Sequence, residues 1–327
     1  MVKLTMFYAV RHQTRFRYTH PIQENLMEVR MQPRTDGSQH CLNFQLHLRP
    51  HARVAHYQDH LGNVIHQFDV PGLHNELLIR AEALVKVAPT PELPAALSEE
   101  DWQRIDDYPM SQELWEMRTP SRFTSATPAL DELAAELEVG RTADPLTTLR
   151  RLNRLLNQTF AYTTQVTHVD SPIDDAIQQR RGVCQDYAHI MLALLRNHLR
   201  LPCRYVSGYL FHRQNDRSAV DASHAWVEVL LPSLGWLGFD PTNDLVAGER
   251  HIRVAIGRDY GDVPPTRGVF KGEAASELSV SVHVRKADDP TSHPIGDFAD
   301  QQPGMGMLST APIRDLAEQQ QQQQQQQ

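Results

Sequence analysis

Three residues of this 327-residue chain combine into one chemistry: Cys184, His224 and Asp240. A thiolate is a nucleophile, an imidazole can move a proton, and a carboxylate can hold that imidazole in one tautomer. Cys184 follows RRGV (180–183) and opens a long stretch of helical apolar spacing. The spacing predicts that the thiol sits at a helix N-terminus. There the partial positive charge and the N–H groups of the first turn favour the thiolate and can stabilise an oxyanion. Gly182 permits a sharp turn into the helix. A cysteine alone is more often a buried apolar thiol, and it is the histidine and aspartate that shift the reading towards catalysis.

Those two residues lie at the ends of neighbouring strand-like runs. His224 opens HAWVEVLL (224–231), and Asp240 closes GWLGFD (235–240), with a turn signal at 231–235 between them. Antiparallel pairing would bring the start of the first run beside the end of the second, although the turn length leaves the register open. The helix expected over 184–199 has Ala188, Met191, Leu192 and Leu195 on one face. Ahead of it, 145–157 repeats leucine at helical spacing, and Ser171-Pro172 opens a short helix ending near Arg180. CRYVSGYLF (203–211), HIRVAIG (251–257) and LSVSVHVR (278–285) read as further strands. Helices followed by a meander of strands make an α+β core, expected over 143–285.

Residues 1–88 alternate apolar and polar in short runs such as FYAVRHQTRFRY (7–18) and ELLIRAEALVKV (76–87). Turn signals separate the runs, which predicts a small all-β domain, a sandwich or barrel. Pro89, Pro91 and Pro94 mark a linker, and 89–142 reads as a connector with helical pieces broken near Thr119-Pro120. The segment 286–327 is polar and ends in a glutamine run, a composition expected to be disordered.

A net charge of −8 and a pI near 6.1 argue against a phosphate-binding surface, so no nucleic-acid partner is expected. No run approaches the roughly 20 apolar residues a membrane helix needs, and the N-terminal residues lack a secretory apolar region. Cys41, Cys184 and Cys203 are odd in number, widely spaced and form no CxxC. They suggest free thiols in a reducing cytoplasm.

Four segments together resemble the transglutaminase-like superfamily: RGVCQDYA (181–188), CRYVSGY (203–209), SHAWVEV (223–229), and Gly235-Trp236 through FDPTN (239–243). They occur in the family's order, over roughly 143–245. The first domain is similar to the N-terminal β-domain of a bacterial branch, on Tyr8, His12, Thr14, Tyr18, Pro21, Arg30, Pro33, Arg34, Asp59, Leu61, Gly62, Asn63 and His74. GRDY (257–260), DVPP (262–265) and Arg267-Gly268 also fit that branch. The resemblance implies a papain-like core that carries Cys184, His224 and Asp240 as its triad, needs no cofactor or metal, and acts on a peptide or protein amide through a thioester. Hydrolysis by a peptidase or amidase is the first expectation, amine transfer to a glutamine side chain the second, and a non-catalytic binding scaffold the third. No calcium loop of the D-x-[DN]-x-[DN]-G type is present. Oligomeric state is left open.

Other candidates receive blander readings. Trp226 and Trp236 read as core rather than oxyanion donors, and Asp186 as a first-turn acid. Tyr162 and Gln165 could line the site, Gln178 is set aside as an oxyanion donor, and Arg180 and Arg181 could attract an acidic substrate or be solvated charges. Nine of the 17 histidines fall between His12 and His74 without a metal-binding spacing, and read as half-buried strand residues.

Overall fold

The computed structural model describes residues 5–109, 111–164 and 170–287. Gln165 and the polar segment from 288 onwards, with its glutamine run, lie outside the described residues.

Strand β1 (Met6–Val29) is the axis of the N-terminal half. Its first part pairs antiparallel with β5 (His74–Val87), which pairs in turn with β2 (Gln39–Arg49). The register breaks between Arg17 and Ile22, and the second part pairs with β4 (Val64–Val70), itself paired with β3 (Val54–Gln58). The alternation seen in the sequence thus becomes two layers that share β1. Ile22, Val29, Phe68, Leu77 and Ile79 fill the space around them.

Helices α1 (Glu100–Asp106), α2 (Gln112–Arg118) and α3 (Pro128–Glu136) form the connector. Helix α4 (Pro145–Thr159) begins at an N-cap, Asp144, whose Oδ1 accepts from the Thr147 N–H at 3.0 Å, with Pro145 in the first turn. Short strand β6 (Ala161–Tyr162) runs parallel to β7 (Arg181–Gly182), with α5 (Ile173–Gln179) between them in sequence. Helix α6 (Cys184–Leu194) continues into a wider π turn at Leu195–Leu199. Strands β8 (Cys203–Leu210), β9 (His224–Leu231), β10 (Gly235–Asp240), β11 (Leu245–Val246) and β12 (His251–Gly257) form one antiparallel sheet in the order β11-β10-β9-β8-β12.

Helices α4 and α6 cover one face of that sheet. Leu146, Leu149 and Leu156 meet Ile190, Met191 and Leu192, and these pack on Tyr205, Val227, Val229 and Phe239. Every residue from Tyr187 to Leu195 is buried, so α6 is the central helix of the core. Arg196, in the π turn, is buried and cationic. Its guanidinium donates to the carbonyls of Met117, Cys203 and Arg258 and to the hydroxyls of Ser121 and Thr124. It ties the connector helices to the core.

The chain then returns to where it started. Strands β13 (Thr266–Lys271) and β14 (Ser276–Lys286) pair with the second and first parts of β1. LSVSVHVR therefore completes the N-terminal sheet, not the helix-backed one. A strand pattern states that a segment seeks edges to pair with, but not which edge.

Candidate active site

The thiol of Cys184 is placed by a compact local device. The Asp186 carboxylate, three residues beyond Val183, accepts from the Val183 N–H at 2.8 Å and so caps the first turn of α6. That carboxylate folds over Gly182, where an added Cβ would stand 2.6 Å from Asp186 Oδ2. Gly182 is therefore required by close approach, and Asp186 shapes the turn that presents the half-buried Cys184.

The hairpin places the other two residues. The β9–β10 ladder pairs Gly235 with Leu231 and Phe239 with Val227. One step further, Asp240 stands opposite Trp226, so Asp240, Trp226 and His224 share a face. His224, the first residue of β9, lies at the end of the sheet where α6 begins. Its Nε2 is 2.8 Å from Asp240 Oδ2, with both side chains buried. The other ring nitrogen, Nδ1, is buried and makes no hydrogen bond within the described residues. Cys184 is near enough to interact with the ring.

Burial alone would push the His224 imidazole towards neutrality. The Asp240 carboxylate overrides it, and Cys184 adds to that effect, so the imidazolium is held well above its usual range. Asp240 behaves in mirror image. Burial raises its carboxyl, but the charge of His224 and hydrogen bonds from His224 and His251 hold it far below the usual carboxylate range. Asp240 Oδ1 also accepts from the N–H groups of Thr242 and Asn243, and Oδ2 from Asn243 Nδ2 at 2.8 Å. The residues after the aspartate thus clamp it.

Comparison with known proteins places the chain in a family. Residues 8–86 match the bacterial transglutaminase-like N-terminal region, and residues 131–241 match the transglutaminase-like superfamily. An uncharacterized protein of Mycobacterium leprae is 31% identical over 279 residues, 84% of this chain and 97% of that one. The chain belongs to the transglutaminase-like superfamily. A Mycobacterium tuberculosis relative, also uncharacterized, is 32% identical over 291 residues, covering 85% of this chain and 92% of its own. A protein-glutamine gamma-glutamyltransferase of Pseudomonas aeruginosa is 35% identical over 131 residues, 38% of this chain and 19% of that protein. In fold, the crystal structure of a "putative cysteine protease" from Cytophaga hutchinsonii superposes with a TM-score of 0.70 at 20% identity, over 88% of this chain and 92% of that one.

Around this transglutaminase-like centre stand two residues to which sequence reasoning assigned no role. Asn243 holds Asp240 with Nδ2, while its Oδ1 accepts from the N–H groups of Arg217 and Ser218 at 2.7 and 3.2 Å. His251 Nε2 lies 3.2 Å from Asp240 Oδ2, and its Nδ1 accepts from the Gly248 N–H at 3.3 Å. With Nδ1 an acceptor, the proton of a neutral His251 is on Nε2, aimed at Asp240. Burial lowers the pKa of His251 despite the neighbouring carboxylate, so of the two histidines on Asp240 it is His224 that takes the charge. Asn243 was within reach of sequence reasoning, since it follows the aspartate by three residues. His251 was one histidine among 17, and strand pairing alone brings it here.

The donor atoms of His224, Asp240 and His251 lie within 4.8 Å of one another, close enough to surround a metal ion. They are already joined by N–H···O bonds, and an ion would have to displace the His251 Nε2 proton that the Gly248 contact fixes. The donor set fits a hydrogen-bonded cluster better than a metal site.

The remaining candidates fall into place around the three. Trp226 is fully buried with Val206 and Ile256, its ring stacked near His224 and edge-on to His251 at 5.2 Å between centroids. Gly208 makes room for it, since a Cβ there would lie 2.5 Å from the indole and 2.2 Å from the Ile252 carbonyl. Trp236 is half-buried beneath the Arg204 guanidinium. Gln178 and Arg181 are exposed. Tyr162 pairs with Gly182 through the β6–β7 ladder, which sets it beside the turn into α6.

Proposed function

We propose that the chain is a cysteine peptidase or amidase that cleaves an amide bond through a thioester on Cys184. The supporting observation is the fully buried His224–Asp240 pair next to a half-exposed thiol at the start of α6. In the first half-reaction the Cys184 sulfur attacks the amide carbonyl carbon. The C–N bond breaks as Nδ1 of the His224 imidazolium gives its proton to the leaving amine. In the second, water attacks the thioester while His224 takes its proton, releasing the acid and restoring the thiol. Asp240 keeps Nε2 protonated, so Nδ1 is the working nitrogen. Asp186 orients the thiol, and His251 and Asn243 orient the carboxylate.

A second reading has a specific observation behind it. The similarity to a protein-glutamine gamma-glutamyltransferase supports an amine, rather than water, as the group that resolves the thioester. Both readings share the first step and the same three residues. The substrate is a peptide or protein amide in either case, and cytoplasmic placement remains part of the proposal.

The deciding experiment is alkylation by iodoacetamide from pH 5 to 9, read by mass spectrometry at all three cysteines. Burial pushes Cys41 and Cys203 up to about 11, so they are slow internal references. Fast labelling of Cys184 at pH 6, lost in His224→Ala, is the expected result. Labelling of Cys184 no faster than the references would remove the proposal. Incubation with glutamine-containing peptides, with and without a primary amine, then separates hydrolysis from transfer by product mass.

A further inference from the structure

A cavity of about 660 Å³ opens beside the turn that presents Cys184. Its walls include Gln158, Phe160, Tyr162, Arg180 and Arg217. Backbone pairing fixes its position: Tyr162 is the ladder partner of Gly182, and the Thr163 N–H donates to the Gly182 carbonyl at 3.0 Å, two residues before the thiol. The proximity is felt electrostatically, since burial and then the charge of Cys184 both raise the Tyr162 phenol. The other wall is tied to the opposite side of the site. Asn243, which holds Asp240, also accepts from the Arg217 N–H.

The cavity is cationic in a chain of net charge −8. None of its lining residues is acidic. Arg217 is exposed, its Nη1 donates to the Asn157 carbonyl at 2.7 Å and its guanidinium also bonds the Tyr187 hydroxyl; neither partner is a carboxylate. Arg180 stands over the Phe160 ring and is bonded on one side by Glu136. Its Nη1 is buried and has no hydrogen-bond partner among the described residues. Arg180 also adopts a left-handed backbone conformation, φ 51°, at the end of α5. Glycine is the usual residue there, so an arginine is held at a cost of order 1 kcal/mol. Arg180 and Arg217 both line the cavity, and a guanidinium is a fork for a carboxylate.

We infer that this cavity is the subsite for an acidic side chain, so that the amide attacked by Cys184 belongs to a peptide or protein bearing a carboxylate beside the scissile group. The inference rests on Cys184 being the nucleophile, and names the substrate class of that same site. Arg217 supplies the accessible charge, and Arg180 the second donor, with Glu136 as a rim carboxylate that limits the pull to one net charge. Phe160 and Tyr162 form a floor for the methylenes of a glutamate or aspartate.

The test compares two reagents of nearly equal size, iodoacetate and iodoacetamide, at Cys184. Both form the same S–C bond and expel iodide, and only the first carries a carboxylate. Rates are measured by mass spectrometry at low ionic strength in the wild type, Arg217→Gln, Arg217→Lys and Arg180→Gln. The charged His224 favours iodoacetate in every variant, so the informative quantity is the change in the iodoacetate-to-iodoacetamide ratio. The ratio is expected to fall about 3- to 10-fold in each glutamine variant, to recover in Arg217→Lys, and to shrink towards the variants' value at 1 M salt. Matched peptide amides differing only by glutamate or glutamine next to the scissile group should show the same order in KM. An unchanged ratio alongside fast iodoacetamide labelling overturns the acidic subsite and leaves the nucleophile standing. Slow labelling of Cys184 by both reagents overturns the two together.

Discussion

Helix α6 and strand β12 both bring residues to one carboxylate cluster, and they are held by opposite means. Helix α6 is seated by apolar side chains from Tyr187 to Leu195, packed against β8 and β9 with no exposed face. Strand β12 is an edge strand, and its outer backbone groups are satisfied by two buried amide side chains of the N-terminal domain. Gln39 donates to the Arg253 carbonyl and accepts from the Arg253 N–H, both at 2.8 Å. Asn63 does the same to Ile256, again at 2.8 Å on each side. An open sheet edge is thereby capped without a further strand. Apolar packing tolerates small shifts, but reciprocal amide pairs fix β12 in one register. Since β12 begins at His251, the N-terminal domain sets the position of a residue on Asp240. The difference teaches that the thiol side of the site is made by the core alone, and the carboxylate side is completed from outside it.

The largest effects are expected at the cluster itself. Cys184→Ala should abolish thioester formation, and Asp240→Asn should lower kcat/KM by about 10³- to 10⁴-fold, the scale seen when a triad carboxylate is neutralised in serine proteases. Retained activity in Asp240→Asn would show that the clamp from β12 and Asn243 serves folding only. Next comes packing: Leu192→Ala, in the middle of α6, should cost about 2–5 kcal/mol in denaturant unfolding, and loss of the buried Arg196 cation in Arg196→Ala a similar amount through its five stranded partners.

Truncating the amide caps is expected to be smaller in stability and distinctive in kinetics. Asn63→Ala should cost about 1–3 kcal/mol and lower kcat more than it slows iodoacetamide labelling of Cys184, because it disturbs β12 directly and the thiol only through Asp240 and His224. Equal losses in labelling and turnover would break the contrast between the two sides. His251→Gln, which removes the Nε2 donor to Asp240 while keeping a polar side chain, should reduce kcat about 10-fold and move the acid limb of the kcat profile.

The smallest effect in a neutral buffer, and a growing one on acidification, concerns His12. It sits at the junction of the domains, its Nδ1 3.0 Å from the Tyr209 hydroxyl and its Nε2 3.3 Å from Thr14 Oγ1. Burial pushes it down to about 4. The unfolded chain binds this proton near pH 6.5 and the folded one only near 4, so stability is full above pH 6.5 and declines as pH falls to 4. The loss reaches about 3 kcal/mol for this group. Replacement by leucine should flatten that part of the stability profile measured between pH 7 and 4. An unchanged profile would assign acid sensitivity to other groups, such as His189, pushed down to about 3 by burial and Arg196.

What could be read from the amino-acid order alone was whatever neighbours in sequence decide. The start of α6 at Cys184 follows from Gly182, Asp186 and the apolar repeat behind them. The hairpin that joins His224 to Asp240 follows from two alternating runs and the short turn between them. The clamp on Asp240 from Thr242 and Asn243 is equally local. Tertiary structure decided the rest. His251 reaches Asp240 only because β12 pairs with β8 across some 40 residues, and β14 joins β1 across more than 250. Gln39 and Asn63 have local partners, the Arg34 carbonyl and the Asp59 carboxylate, but the strand they cap lies 193 to 214 residues further along the chain. Their long-range bonds answer an edge strand whose N–H and C=O groups must find partners once water is excluded. Strand runs of similar composition carry no address for their partners, so pairing and the residues it recruits are settled by which arrangement buries the apolar faces and satisfies every backbone group together.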